Sequence, residues 1–185
     1  LENVVDIHRD LVAKCRIGDR KAQYELYKSY SKAMFNIAMR ITNNYMEAED
    51  VLQEAFIRAF RSLESFKGDS TIGAWIKRIV INTAINHLKR NRLDPMDMEK
   101  YEQTPDPEPE GTTSFPWSVE EVRRSIQLLP EGYRIVLTLY LIDGYDHGEI
   151  AEILNISEAT SKSQFSRAKK KLREILTEYQ YERST

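Results

Sequence analysis

Tyr45 to Leu63 reads YMEAEDVLQEAFIRAFRSL. Its apolar residues fall at Ala48, Val51, Leu52, Ala55, Phe56, Ala59, Phe60 and Leu63, mostly in steps of three and one. That spacing keeps them on one side of a 3.6-residue helix, whereas a strand would need strict alternation. The opposite face carries Glu47, Asp50, Glu54, Arg58 and Arg61. Acids lead and bases follow, as the helix dipole favours. A helix with one greasy face needs partners, and both flanks supply them. Ala22 to Ala38 is rich in Tyr, Leu, Phe and Ile at helical spacing. Downstream, Phe66-Lys67-Gly68-Asp69-Ser70-Thr71 reads as a turn in which Ser70 or Thr71 caps a further helix, about Ile72 to Arg90. That helix is expected to bury Trp75, Ile76, Ile79, Val80, Ala84 and Leu88. Arg78, Asn82, Asn86 and Lys89 then lie along one polar, basic strip.

A break follows. Residues 94–118 hold five of the six prolines, interleaved with Asp and Glu. Each proline removes an N–H and restrains its neighbour, and like charges extend the segment. The segment is expected to be a flexible acidic linker, with an ordered loop as the alternative. The expected fold is therefore all-α, with one small helical domain over residues 1–93 and a second over 119–185.

The second domain ends in a pair of helices joined by a tight turn. Val122, Ile126 and Leu129 mark a first helix ending before Pro130, and Tyr133 to Leu141 is apolar enough to be buried. Asp143-Gly144 breaks that helix. Asp146 and Glu149 have capping-box spacing, Ile150, Ala151, Ile153 and Leu154 form a packing face, and Asn155-Ile156-Ser157 is the turn. The last helix is expected to bury Phe165, Ala168, Leu172, Ile175 and Leu176. Thr160, Ser161, Lys162, Ser163, Gln164 and Arg167 fall on its early part, where a helix-turn-helix presents polar side chains to base edges. An ordinary helical hairpin with a solvated charged face would show the same pattern.

Charge supports nucleic acid only through its distribution. Net charge over the 185 residues is −2. Yet residues 70–93 contain five bases and no acid, and residues 158–173 contain six bases and one acid. Between these patches, residues 94–121 carry nine acids and one lysine. Phe66 and Trp75 could stack on unpaired bases, although Trp75 fits the buried stripe better and Phe66 suits either setting. The acidic face of the Tyr45 helix suits a protein partner or plain solvation, and no histidine follows at the spacing a carboxylate metal site needs. His147 stands at a helix start, where exposure is expected. No catalytic motif, phosphate loop or Cys-His zinc spacing is present, so neither an enzyme nor a cofactor is expected. The single cysteine, Cys15, suits a reducing cytoplasm. No apolar run is long enough to span a membrane, and Leu1 to Asp6 lacks the start of a signal peptide.

Three segments together resemble the extracytoplasmic-function group of sigma factors. Tyr45 to Phe56 is similar to the family's region 2.2. Ala74 to Ala84 with Asn86 to Arg90 is similar to regions 2.3 and 2.4, and Glu149 to Leu154 through Arg173 to region 4.2. The resemblance implies that Asp50, Gln53 and Glu54 dock on the β′ clamp coiled coil of core RNA polymerase. It implies that Phe66, Lys67, Gly68 and Asp69, with Arg78, Asn82, Asn86 and Lys89, capture and melt the −10 promoter element. Thr160 to Gln164 and Arg167 would read the −35 element as duplex, with the second domain against the β flap. An anti-sigma factor is implied as inhibitor. Two departures stand out: Ala159-Thr160-Ser161 where the family often has Gly-Thr-Val, and Gln164 where it often has Arg. Without the resemblance, a free-standing helix-turn-helix regulator and a helical protein-binding adaptor remain open.

Overall fold

The structure, a computed structural model, describes residues 9–91 and 117–184. Most of the expected linker lies outside the described residues. The chain divides into two compact units, Leu1–Leu93 and Asp94–Thr185. Among the described residues all regular structure is helical.

In the first unit a short helix, α1 (Arg9–Arg16), leads through Gly18 to α2 (Arg20–Thr42). Asp19 caps α2 by accepting the backbone N–H groups of Lys21 and Ala22 at 2.8 and 3.2 Å. Two asparagines make the whole next turn. Asn43 takes the left-handed conformation (φ 54°) that ends α2. Asn44 then accepts the N–H groups of Met46 and Glu47 and starts α3 (Tyr45–Arg61). Ala48, Val51, Leu52, Ala55, Phe56 and Ala59 of α3 are buried, as the stripe requires. Each fully buried Val, Leu or Phe contributes about 1.5–3 kcal/mol, so this face holds the helix in place.

A single 3₁₀ turn, Leu63–Ser65, leads to the loop before α4 (Ile72–Asn91). Thr71, not Ser70, caps α4, its hydroxyl accepting the Ala74 N–H at 3.2 Å. The buried set of α4 is Ile72, Ile76, Val80, Ile81, Thr83, Ala84, Ile85 and Leu88. This corrects the expected stripe: Trp75 and Ile79 are only half-buried, and Ile81, Thr83 and Ile85 join the core. The cause is packing on two sides, because α4 lies against both α2 and α3. At its start α4 meets α2 closely. A Cβ on Gly73 would sit 2.7 Å from Cε1 of Tyr30.

In the second unit, Ser118 and Glu121 form a reciprocal capping box at α5 (Val119–Gln127). The Trp117 indole N–H donates to the Leu176 carbonyl at 3.2 Å, fastening the start of this unit to its last helix. After Pro130, α6 (Glu131–Leu141) buries Ile135, Val136, Leu137 and Leu139. Its far end differs from expectation: Tyr140 is 37% and Leu141 58% exposed. Arg134 is buried; its guanidinium donates to the Leu129 carbonyl at 3.2 Å and pairs with the Glu131 carboxylate at 4.0 Å.

Helix α7 (His147–Leu154) starts at the capping box of Asp146 and Glu149. It ends at Asn155 (φ 59°, ψ 53°), whose left-handed backbone turns the chain into α8 (Glu158–Ser184). Ser157 accepts the Thr160 N–H at 3.0 Å. Leu129, Leu137, Ala168 and Ile175 form a core, with Ile126, Tyr133, Leu172 and Tyr179 packed on it. Phe165, expected in this core, is half-buried instead and packs on the exposed end of α6.

Candidate nucleic-acid interface

Helix α4 supplies the first candidate surface. Arg78, Asn82, Asn86 and Lys89 are all exposed on one side of it. The buried residues Ile76, Val80, Thr83 and Leu88 occupy the other side, so packing fixes which way the strip faces. Ahead of the strip stands the loop from Phe66 to Thr71. Lys67, Gly68, Asp69, Ser70 and Thr71 are exposed, with Gly68 at φ 83° making the bend. Phe66 is half-buried. Its ring lies 5.5 Å from that of Trp75, inclined at 52°, so the two aromatics join the loop to the first turns of α4. Arg16, which the sequence did not single out, reaches this loop from α1. Its Nε donates to the Leu63 carbonyl at 3.4 Å and its Nη2 to the Phe66 carbonyl.

The acidic face of α3 is adjacent in this unit. Asp50 and Gln53 are exposed. Glu54 is partly engaged, pairing with Arg58 on its own helix and with Arg90 of α4 at 3.4 Å. Glu47 approaches His87 Nε2 at 3.6 Å. The two arginine pairs are largely exposed, and pairs of this kind contribute about 0–1 kcal/mol, so they orient side chains more than they hold the unit together.

The second candidate surface differs from the sequence expectation. Of the six residues expected on the reading face of α8, Lys162 is exposed, and Thr160, Ser163 and Arg167 are half-buried. Ser161 and Gln164 are buried, at 0% and 6% exposure. They cannot present polar groups outward and are corrected to structural roles. A Cβ on Gly132 would come within 2.9 Å of Gln164 Oε1, so Gln164 fills the space beside the first turn of α6. Ser161 Oγ shares a 2.9 Å hydrogen bond with His147 Nδ1.

His147 is likewise not the exposed residue expected at a helix start. Its ring stacks on Tyr140 (centroids 4.6 Å apart, 21° between planes) and meets Phe165 edge-on at 5.6 Å. Burial lowers its pKa from the usual 6.5, and the nearby Lys162 ammonium lowers it further, opposed by Glu158 and Asp146. The bond from α7 to α8 therefore pins the two helices of the pair. Outward from this cluster, Lys169 lies over the Phe165 ring at 5.1 Å, and Lys170 and Arg173 are exposed. A basic stripe thus continues along α8 beyond the turn.

Among the described residues no cluster of His, Cys, Asp or Glu could hold a metal ion. Nor is any helix there long and apolar enough to cross a membrane.

Comparison with known proteins matches both units. Residues 26–93 fit the model of sigma-70 region 2, and residues 119–172 that of sigma-70 region 4. The chain is 34% identical to the RNA polymerase sigma-H factor of Pseudomonas aeruginosa over 179 residues, covering 91% of this chain and 93% of that one. It is 33% identical to the ECF RNA polymerase sigma-E factor of Escherichia coli over 170 residues, covering 86% and 88%. Among solved structures it is similar in fold to the sigma factor RpoE from Bartonella quintana, crystallised with the anti-sigma factor NepR. That likeness has a TM-score of 0.54 at 20% identity and covers 83% of this chain and 96% of that one.

Proposed function

Since the chain belongs to the sigma-70 family and is a sigma factor that directs RNA polymerase to promoters, we propose how its surfaces divide that task. The first domain, residues 1–93, docks through Asp50, Gln53 and Glu54 on the β′ clamp coiled coil of core polymerase. The same domain captures the −10 element with the loop Phe66, Lys67, Gly68 and Asp69 and with the strip Arg78, Asn82, Asn86 and Lys89. The second domain, residues 119–185, reads the −35 element as duplex through Thr160, Lys162, Ser163 and Arg167 and rests on the β flap. Residues 94–118 link the two.

The observation that carries this reading is the strip on α4. Four polar or basic side chains line one exposed face, in a segment from 70 to 93 that carries five bases and no acid. Such a face attracts phosphate, and the neighbouring aromatic pair offers a platform for bases freed from the stack. Extruding a base costs a few kcal/mol, which the loop and strip together must offset. The chain performs no covalent step of its own and uses no cofactor; RNA synthesis belongs to the polymerase. Its site of action is then the cytoplasm, and its inhibitor an anti-sigma factor, the type of partner named for the Bartonella protein. A free-standing regulator is not favoured, because both units match sigma-factor regions in their order along the chain.

The test is promoter-specific run-off transcription with reconstituted holoenzyme. Specific transcripts are expected with the wild-type chain. Asp50→Ala with Gln53→Ala should weaken core binding roughly tenfold while leaving the fold intact, the effect of losing one strong anchor. Absence of any specific transcript would remove the functional reading, and unchanged core affinity in the double variant would remove the docking face.

A further inference from the structure

The loop assigned to −10 capture is short of attachments of its own. Its residues from Lys67 to Thr71 are exposed, and Gly68 takes a left-handed bend. Its far end is anchored by the Thr71 cap on α4. Its near end follows the 3₁₀ turn, which the Phe66 N–H closes by donating to the Leu63 carbonyl at 3.2 Å. Arg16 adds to that closure from the side. From 47 and 50 residues away in sequence, one guanidinium donates to the carbonyls of Leu63 and Phe66. A planar fork with a fixed charge suits two neighbouring carbonyl oxygens, and a cation also complements the negative end of a helical run. Phe66 itself leaves the turn with an extended backbone (φ −69°, ψ 107°), so the bond to its carbonyl acts at the point where the loop departs. Helix α1 is held against α2 and the 3₁₀ turn, which gives Arg16 a firm base.

We propose that Arg16 is a positioning residue for promoter opening: it shapes the Phe66–Thr71 loop for an unstacked base without touching DNA. This rests on the −10 assignment of that loop. Losing Arg16 removes no DNA-facing side chain, but leaves the near end of the loop to the Phe66–Trp75 ring contact and the Phe66 N–H bond alone. Binding single-stranded −10 DNA then requires ordering a segment that Arg16 holds in the wild-type chain.

The experiment uses the full chain with Escherichia coli core polymerase. A promoter is first selected by the wild-type holoenzyme from a randomised duplex pool. The probe is a fluorescent single-stranded oligonucleotide carrying the non-template −10 sequence of that promoter. Wild type, Arg16→Ala, Arg16→Lys and the loop variant Lys67→Ala with Asp69→Ala are compared for core affinity, oligonucleotide affinity and its salt dependence. Arg16→Ala is expected to weaken the oligonucleotide about fivefold to tenfold, the scale of one charge-assisted hydrogen bond at a partly exposed site. Core affinity and the slope of log affinity against log salt should stay unchanged. Arg16→Lys should recover only part of the loss, because an ammonium keeps the charge but lacks the rigid planar fork that meets both carbonyls.

Unchanged oligonucleotide affinity in Arg16→Ala, with a weakened loop variant, overturns the proposal. So does a salt slope reduced by about one, which identifies Arg16 as a direct phosphate contact. Loss of core affinity in both Arg16 variants assigns it to general folding and also overturns the proposal. If the loop variant binds as wild type does, the −10 assignment of the loop fails, and the role of Arg16 fails with it.

Discussion

Replacing Ser161 by alanine separates a structural role from a reading role at the start of α8. Ser161 is fully buried and shares a 2.9 Å hydrogen bond with His147 Nδ1 across the helix pair. A typical protein hydrogen bond adds about 0.5–1.5 kcal/mol net, and stranding a shielded partner costs about 1–3 kcal/mol. His147 is only half-buried, so water can still reach part of its ring and the lower end applies. Alanine also favours helix by a few tenths of a kcal/mol, which offsets part of the loss. The expected net cost is about 1 kcal/mol. For a unit of this size that corresponds to roughly 4–8 °C in melting temperature. Amide hydrogen exchange in the intact chain should show faster opening of α7 and α8 by about fivefold. In a His147→Ala background the same substitution should cost much less, because the interaction is already gone. Affinity for −35 duplex should fall no further than this loosening explains, with discrimination among −35 sequences unchanged. An altered −35 preference at unchanged hydrogen exchange would refute the argument from burial.

Three further outcomes follow from the same geometry. The depressed His147 pKa means that the folded state binds fewer protons than the unfolded chain just below pH 6.5. Stability from this site is therefore complete above that pH and is lost as pH falls through the lower folded value. Unfolding midpoints across that range should show a component that His147→Gln removes, and an identical slope in the variant would refute it. At Asn155, held at φ 59°, glycine should be tolerated within a few tenths of a kcal/mol. Valine there should cost about 1–2 kcal/mol in denaturant unfolding, and an equal midpoint for the two would contradict the left-handed turn. Arg167→Ala should weaken −35 duplex binding by about 1–3 kcal/mol and relax specificity at one position if Arg167 reads a base. A gel shift with specificity intact would reduce it to a backbone contact.

Much of the architecture was legible because local chemistry agreed with the tertiary outcome. The stripe from Ala48 to Leu63, the capping box at Asp146 and the left-handed Asn155 each needed only neighbours in sequence. Burial on more than one side was harder to read. Helix α4 packs on both α2 and α3, so its core set widens to Ile81, Thr83 and Ile85 and no single stripe describes it. Ser161 and Gln164 were misassigned because their polar side chains suggested exposure. Counting back from buried Ala168 by four and seven residues reaches both positions, so the helical period already placed them inward. His147 was missed because its partners come from two other helices, Tyr140 from α6 and Ser161 and Phe165 from α8. Arg16 was missed for a similar reason, since its acceptors are main-chain carbonyls and leave no mark on side-chain pattern.

The contact between Gly73 and Tyr30 constrains how this unit could be re-engineered. Alanine in place of a helical glycine ordinarily gains about 0.5–1 kcal/mol, so Gly73 would head any routine scheme for stiffening α4. Here the added methyl would lie 2.7 Å from a ring carbon of Tyr30, and the ring would have to move or the helices part. A smaller side chain at position 30, introduced in the same step, would make room for it without that shift. The two positions form one steric unit, and a glycine that looks like an oversight in helix design is the complement of an aromatic ring more than forty residues earlier.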